Sequence, residues 1–176
     1  MFNELNLNKG LQASLKNLGF EQPTDVQAQA VPLALTNRDL LVSAQTGSGK
    51  TVAFLLPTIH RLLTVAEVPG AGTRVLILTP TRELARQIFK QSKLLTSNTP
   101  IETGLIIGGD EFKFQKALFR KNPEIIIATP GRLVEHLEKG SPDFKELEVL
   151  ILDEADRMLD MGFIKDMLFI NKFCKT

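Results

Sequence analysis

The chain has 176 residues, with 21 Lys and Arg against 20 Asp and Glu, a formal net charge of +1 and 43% hydrophobic residues. At roughly 100–200 residues per domain this length fits one domain, and the composition excludes a disordered tail, a collagen-like chain and a disulfide-stapled mini-protein. The near-neutral charge excludes a globally basic nucleic-acid binder but leaves room for a local basic face. One cysteine, Cys174, permits neither an internal disulfide nor a metal cluster built on several cysteines. No stretch reaches the roughly 18 apolar residues of a membrane span. Met1-Phe2-Asn3-Glu4 lacks the basic start and apolar run of a secretory signal. A soluble, cytoplasmic protein is expected. Trp and Tyr are absent, so any aromatic stacking falls to the 11 Phe or the 2 His.

Residues 2–35 carry a helical pattern, with Leu11, Leu15 and Leu18 on one face. Gly19 reads as a helix stop, and Thr24 as the N-cap of a helix through Gln27 and Ala30. From Asp39 onward five short apolar runs appear, at residues 40–43, 75–79, 104–107, 124–128 and 149–152. Most are aliphatic without polar alternation, which predicts strands buried on both faces, as in a parallel sheet. Helix-like segments near 50–65, 82–96, 111–121 and 131–139 separate them. Alternating strands and helices predict an α/β fold with right-handed crossovers. The one obvious loop lies at 67–73, with Pro69, Gly70 and Gly72, and no domain boundary is expected. In such sheets ligands bind beyond the carboxyl ends of the strands. There the chain places two Thr-Pro pairs (Thr79-Pro80 and Thr129-Pro130), a glycine pair and a cluster of acids, more than turns alone require.

Ala44-Gln45-Thr46-Gly47-Ser48-Gly49-Lys50-Thr51 follows an expected strand and opens a helix, the context of a phosphate-binding loop. Gly47 and Gly49 would let the backbone approach phosphates closely. Their N–H groups and the helix N-terminus supply partial positive charge. Lys50 would reach the β- and γ-phosphates, and the Thr51 hydroxyl would ligate Mg²⁺. Ala44 stands where the general pattern has Gly, and an ordinary glycine-rich turn is the plainer alternative. Downstream, an apolar run ends in Asp153-Glu154. Asp153 would hold the Mg²⁺ through water, and Glu154 would polarise an attacking water. The same acids would also suit the N-terminus of a helix starting near Ala155. Together the two segments make the halves of one magnesium–nucleotide site.

Asp153-Glu154-Ala155-Asp156 spells DEAD, and with it the chain resembles the DEAD-box RNA helicases along nearly its whole length. Residues 19–27, Gly-Phe-Glu-Gln-Pro-Thr-Asp-Val-Gln, resemble the family's adenine-reading Q motif, with Phe2 as its upstream aromatic. Residues 44–51 match motif I in the family's own form, which has Ala first. Pro80-Thr81-Arg82-Glu83-Leu84-Ala85 matches motif Ia, Gly108-Gly109 the GG element, and Thr129-Pro130-Gly131-Arg132 motif Ib. Residues 157–163 continue motif II as the family does.

The resemblance implies a RecA-like P-loop NTPase domain: mostly parallel sheet, helices on both faces, a helical flank at 1–36 and a P-loop core at 37–176. It implies ATP and Mg²⁺ as cofactors. Gln27 would bond the adenine edge, since an amide both donates and accepts. Gln22 and Phe20 or Phe2 would lie near the base, and residues 44–51 would hold the phosphates. Lys50, Asp153 and Glu154 are the implied catalytic residues, and Thr51 and Asp153 the metal ligands. Thr81, Arg82, Gly109, Thr129 and Arg132 would meet RNA phosphates and sugars without reading sequence, and 2′-hydroxyl contacts would favour RNA over DNA. Asp156 would couple to a second RecA-like domain. A monomer with no membrane partner is expected. His60, His136 and Cys174 read as structural.

The family's motif III, Ser-Ala-Thr, and its second domain are not in the sequence. The resemblance implies that efficient hydrolysis needs arginines from that second domain. It also implies a motif III strand between the phosphate-loop strand and the Asp153 strand, without which both neighbours keep unpaired backbone groups. Marginal folding, or a rearrangement of residues 163–176 over that gap, is therefore expected. The chain reads as the ATP- and RNA-binding half of an RNA helicase, or alternatively as a non-catalytic nucleotide- and RNA-binding module without turnover. A DNA translocase of related fold is disfavoured by the Gln27 element and the Thr129–Arg132 spelling.

Overall fold

A computed structural model describes residues 1–45, 47–64 and 72–174. By contacts the chain forms two compact units, residues 1–66 with 91–101 and residues 67–90 with 102–176. Of the expected loop at 67–73, only residues 72 and 73 are described, and Thr46 also lies outside the described residues.

The first unit opens with a 3-10 turn at Phe2–Leu5, followed by helices α1 (Lys9–Asn17), α2 (Asp25–Ala34) and α3 (Lys50–Thr64). Asn8 caps α1 by accepting from Gly10 N at 2.8 Å. Thr24 caps α2 as expected, in a reciprocal box with Gln27. Both α1 and α2 pack against α3, and Leu11, Leu15, Val31, Leu55, Leu56 and Ile59 are buried. His60 has the structural role expected of it: its Nδ1 accepts from Asn8 N at 3.0 Å, tying α3 to the start of α1.

The second unit holds β1 (Val75–Leu78), β2 (Thr103–Ile106), β3 (Ile125–Ala128) and β4 (Val149–Leu152). The four strands are all parallel, in the order β2-β3-β1-β4. Helix α4 (Arg82–Leu95) begins in this unit, which also carries α5 (Phe112–Arg120), α6 (Pro130–Glu138), α7 (Ala155–Asp160) and α8 (Ile164–Asn171). Every residue of β1 and β3 is buried, the pattern of inner parallel strands. Leu76, Leu78, Ile126 and Ala128 form one core cluster with Phe119 of α5, Leu133 and Leu137 of α6, Met158 of α7 and Ile170 of α8.

Two expectations are corrected. Residues 40–43 are not a strand, and Leu41 is fully exposed at 101%. Apolarity alone does not make a strand, because backbone groups must find a ladder. The inner strand β1 is already paired on both sides, with β3 and β4, and no described segment pairs with 40–43. Nor do residues 163–174 cover the open edge of β4. They form α8, which packs on α6 with Ile170 fully buried. The Cys174 thiol donates to Ile170 O at 3.5 Å, and burial raises its pKa, so it is an inert packing group. Among the described residues, no helix is long and apolar enough to cross a membrane.

Candidate functional site

In the first unit, Gly47 and Gly49 take left-handed φ values of 82° and 85° on either side of Ser48. These conformations curl the backbone into a concave turn at the start of α3, with Lys50 and Thr51 its first two residues. Ser48 N donates to Gln45 O at 3.2 Å, whereas the Ser48 Oγ is buried and, among the described residues, without a hydrogen-bond partner. A buried hydroxyl left unsatisfied beside first-turn N–H groups fits an anionic ligand.

Gln27 ties this turn to α2. It is 5% exposed, its Oε1 accepts from Thr24 N at 3.0 Å, and its Nε2 donates to Gly49 O at 3.0 Å. One amide proton and one lone pair remain for an adenine edge. Phe20 is half-buried and Gln22 exposed, whereas Phe2 is buried, its N–H donating to Glu21 O at 3.4 Å. Phe2 therefore anchors the N-terminal turn, leaving Phe20 as the aromatic with accessible surface. Ala44 is half-buried and Gln45 exposed.

In the second unit, Asp153 directly follows β4. Its backbone N–H donates to Leu78 O at 2.8 Å, and its buried carboxylate accepts from the Thr79 hydroxyl at 3.5 Å. Glu154 follows with φ 54° and ψ 50°, a left-handed conformation that a side chain with Cβ rarely adopts. Its Oε2 is buried without a hydrogen bond, 3.7 Å from Arg157 Nη1. Strain and an unsatisfied oxygen on one acid are marks of a functional group. Asp156 is exposed on α7.

The carboxyl ends of β1, β2 and β3 gather most of the residues expected at RNA. Thr81 caps α4, its Oγ1 accepting from Leu84 N at 3.2 Å. The Arg82 guanidinium lies over the glycine pair: a Cβ at Gly108 would sit 2.9 Å from Nη2, and one at Gly109 2.9 Å from Nη1. Gly109 also has φ 91°, a backbone conformation that favours glycine whatever the space around it. Thr129 is the N-cap residue of α6, with Pro130 in the first turn. Arg132 is tied to its neighbours: its Nη1 donates to Asp110 O at 2.9 Å and Gln115 Oε1 at 3.1 Å, and its Nε lies 3.3 Å from Glu135. Gln115 and Phe112 were not anticipated as site residues. Their signal in the sequence is faint, a Gln on the apolar face of the helix that follows Gly108-Gly109.

His136 is fully buried beside them, stacked on Phe112. Burial, reinforced by Arg132 and Lys116, lowers its pKa from 6.5 to about 4. The folded state thus releases a proton that the unfolded chain keeps below pH 6.5, so stability is complete above that pH and falls as pH drops toward 4. His60 is shifted in the same sense by burial. The urea midpoint is expected to fall from pH 6.5 to 4.5, and to fall less in His136→Phe. Equal slopes for the two proteins would contradict it.

The DEAD/DEAH box helicase family profile matches residues 24–175. DEAD-box ATP-dependent RNA helicase 28 of Arabidopsis thaliana is 50% identical over 174 residues, covering 98% of this chain and 22% of that protein. ATP-dependent RNA helicase SrmB of Escherichia coli K12 is 45% identical over 166 residues, covering 94% of this chain and 37% of that protein. The crystal structure of a hypothetical ATP-dependent RNA helicase from Sulfolobus tokodaii superposes with a TM-score of 0.84 at 34% identity, over 95% of this chain and 47% of that one. The chain thus spans less than half the length of these relatives. With the profile matching most of its length and the motif turns formed at the strand ends and at the start of α3, the chain belongs to the DEAD/DEAH box helicase family.

Proposed function

We propose that this chain is the ATP- and RNA-binding half of an ATP-dependent RNA helicase, acting as a monomer in the cytoplasm and coupling nucleotide binding to local strand separation within a longer protein. The observation that carries this reading is the glycine turn at the start of α3, with the unsatisfied Ser48 hydroxyl inside it and Gln27 hydrogen-bonded to Gly49. Residues 44–51 hold the triphosphate, and Lys50 adds a full positive charge. Gln27 selects adenine, because its remaining donor and acceptor match the exocyclic amine and N7. The hydroxyl of Thr51 and the carboxylate of Asp153 are hard oxygen donors suited to Mg²⁺. When bound, that ion neutralises charge building on the phosphates. Glu154 orients the attacking water. Arg82 and the backbone N–H groups at Gly109 and the start of α6 grip the RNA backbone, and Asp156 couples these events to a second RecA-like domain.

Titration with a fluorescent ATP analogue and Mg²⁺ tests the reading. Lys50→Ala is expected to weaken binding at least about tenfold, the loss of one charge-assisted hydrogen bond. Gln27→Ala is expected to abolish the preference for ATP over GTP. Absence of adenine-nucleotide binding by a folded wild-type chain overturns the reading.

A further inference from the structure

One buried side chain between β2 and α6 makes three hydrogen bonds. Gln115 is 4% exposed. Its Nε2 donates to Ile107 O at 2.7 Å, immediately before Gly108-Gly109. Its Oε1 accepts from Arg132 Nη1 at 3.1 Å and from His136 Nε2 at 2.7 Å. The oxygen can only accept, so His136 carries its proton on Nε2. Arg132 Nη1 also reaches Asp110 O at 2.9 Å, immediately after the glycines. The glycine turn is therefore held on both sides, at Ile107 by Gln115 and at Asp110 by Arg132, and the two holds meet in a single carboxamide.

Ring packing fixes this cluster further. The Phe112 and His136 rings stack with centroids 4.0 Å apart and planes 1° apart. Phe119 meets His136 edge-on at 5.1 Å, and the Arg132 guanidinium carbon lies 5.7 Å from the centre of the Phe112 ring. Packing alone does not call for an amide here, because a buried amide is costly unless every bond is made. A methionine would fill the same volume without that requirement.

We propose that Gln115, anchored by His136, is a positioning residue that holds the Gly108-Gly109 turn and the first turn of α6 in one fixed relative geometry. The proposal deepens, and rests on, the reading of Gly109 and the start of α6 as RNA-backbone contacts. Its consequence is preorganisation: the N–H groups of both turns stand at a set spacing before the strand arrives, so binding does not have to order them. Gln115 touches no RNA itself. Arg132 serves here as a brace between the two turns.

Three readouts on the same chain test this: the Gly109 and Gly131 amide resonances, affinity for a short fluorescein-labelled oligouridylate, and affinity for a fluorescent ATP analogue. Gln115→Met is expected to move both resonances and to weaken oligouridylate binding about five- to thirtyfold, the loss of one to two ordinary hydrogen bonds. ATP-analogue affinity stays within about twofold. Gln115→Glu keeps the acceptor for Arg132 and His136 but loses the donor to Ile107, so Gly109 moves and Gly131 stays. His136→Phe keeps the ring stack and removes only the donor, and it carries the test through both glycine resonances if Gln115→Met does not fold. Unmoved glycine resonances in the folded variants overturn the proposal, as does a loss of ATP-analogue affinity in parallel with RNA affinity. If the wild-type chain binds no oligouridylate, the RNA reading fails, and the glycine resonances still decide the positioning role.

Discussion

Gly49→Ala is expected to cut adenine-nucleotide affinity by at least about thirtyfold, roughly 2 kcal/mol, while oligouridylate affinity stays within about twofold. Gly49 has φ 85°, where a Cβ costs roughly 1–2 kcal/mol. Space is the larger problem. An added Cβ would sit 2.5 Å from Gln27 Nε2 and 2.8 Å from Thr24 Oγ1. Thr24 Oγ1 belongs to the capping box of α2 and Gln27 Nε2 donates to Gly49 O, so the methyl group disturbs the cap and the Gln27–Gly49 hydrogen bond together. Losing such a cap costs typically about 1 kcal/mol, and a domain of ordinary stability survives the total. Gly47 is the control. It has nearly the same φ, 82°, yet among the described residues nothing lies within 4 Å of its Cβ. Gly47→Ala carries the strain alone and is expected to have the smaller effect on both thermal midpoint and nucleotide titration. Equal effects from the two substitutions would remove Gln27 from the phosphate site.

Glu154→Asn is expected to make the protein more stable and less active. Glu154 is held at φ 54° and ψ 50°, where Asn is far better tolerated. Relief of that strain is worth about 1 kcal/mol, read as a higher urea midpoint. In the longer protein that supplies the second domain, RNA-stimulated phosphate release is expected to fall about 100-fold or more, the usual cost of losing a general base. A stabilised variant with lost turnover identifies the acid as one kept for chemistry at the expense of the fold. A lower urea midpoint would show instead that Glu154 supports the start of α7.

The features that could be read in the sequence are those set by nearby residues. The unbroken aliphatic runs at β1 and β3 required burial on both faces, and both strands are wholly buried. Thr24 reads as the N-cap of α2, and it caps that helix, in a reciprocal box with Gln27. The glycines ahead of Lys50 mark a tight turn, and Gly47 and Gly49 adopt positive φ there. Each of these depends on steric and hydrogen-bonding rules that act within a few residues.

Where a residue's partners lie far along the chain, only the folded molecule supplied the answer. Residues 40–43 are as aliphatic as true strands, but a strand exists through its ladder, and none forms there. Phe2 has the same composition as a base-stacking ring and is instead a buried anchor. Arg132 has a charge suited to phosphate, and only the folded molecule shows that its Nη1 also reaches Asp110 O and Gln115 Oε1. Gln115 carried almost no signal of its own, because its role comes from Ile107, Arg132 and His136 meeting at one carboxamide. Backbone conformation and helix caps are local free-energy minima, so the order of residues determined them. Strand pairing and the partners of buried polar groups are set by which distant groups are brought within hydrogen-bond reach, so the tertiary structure decided those.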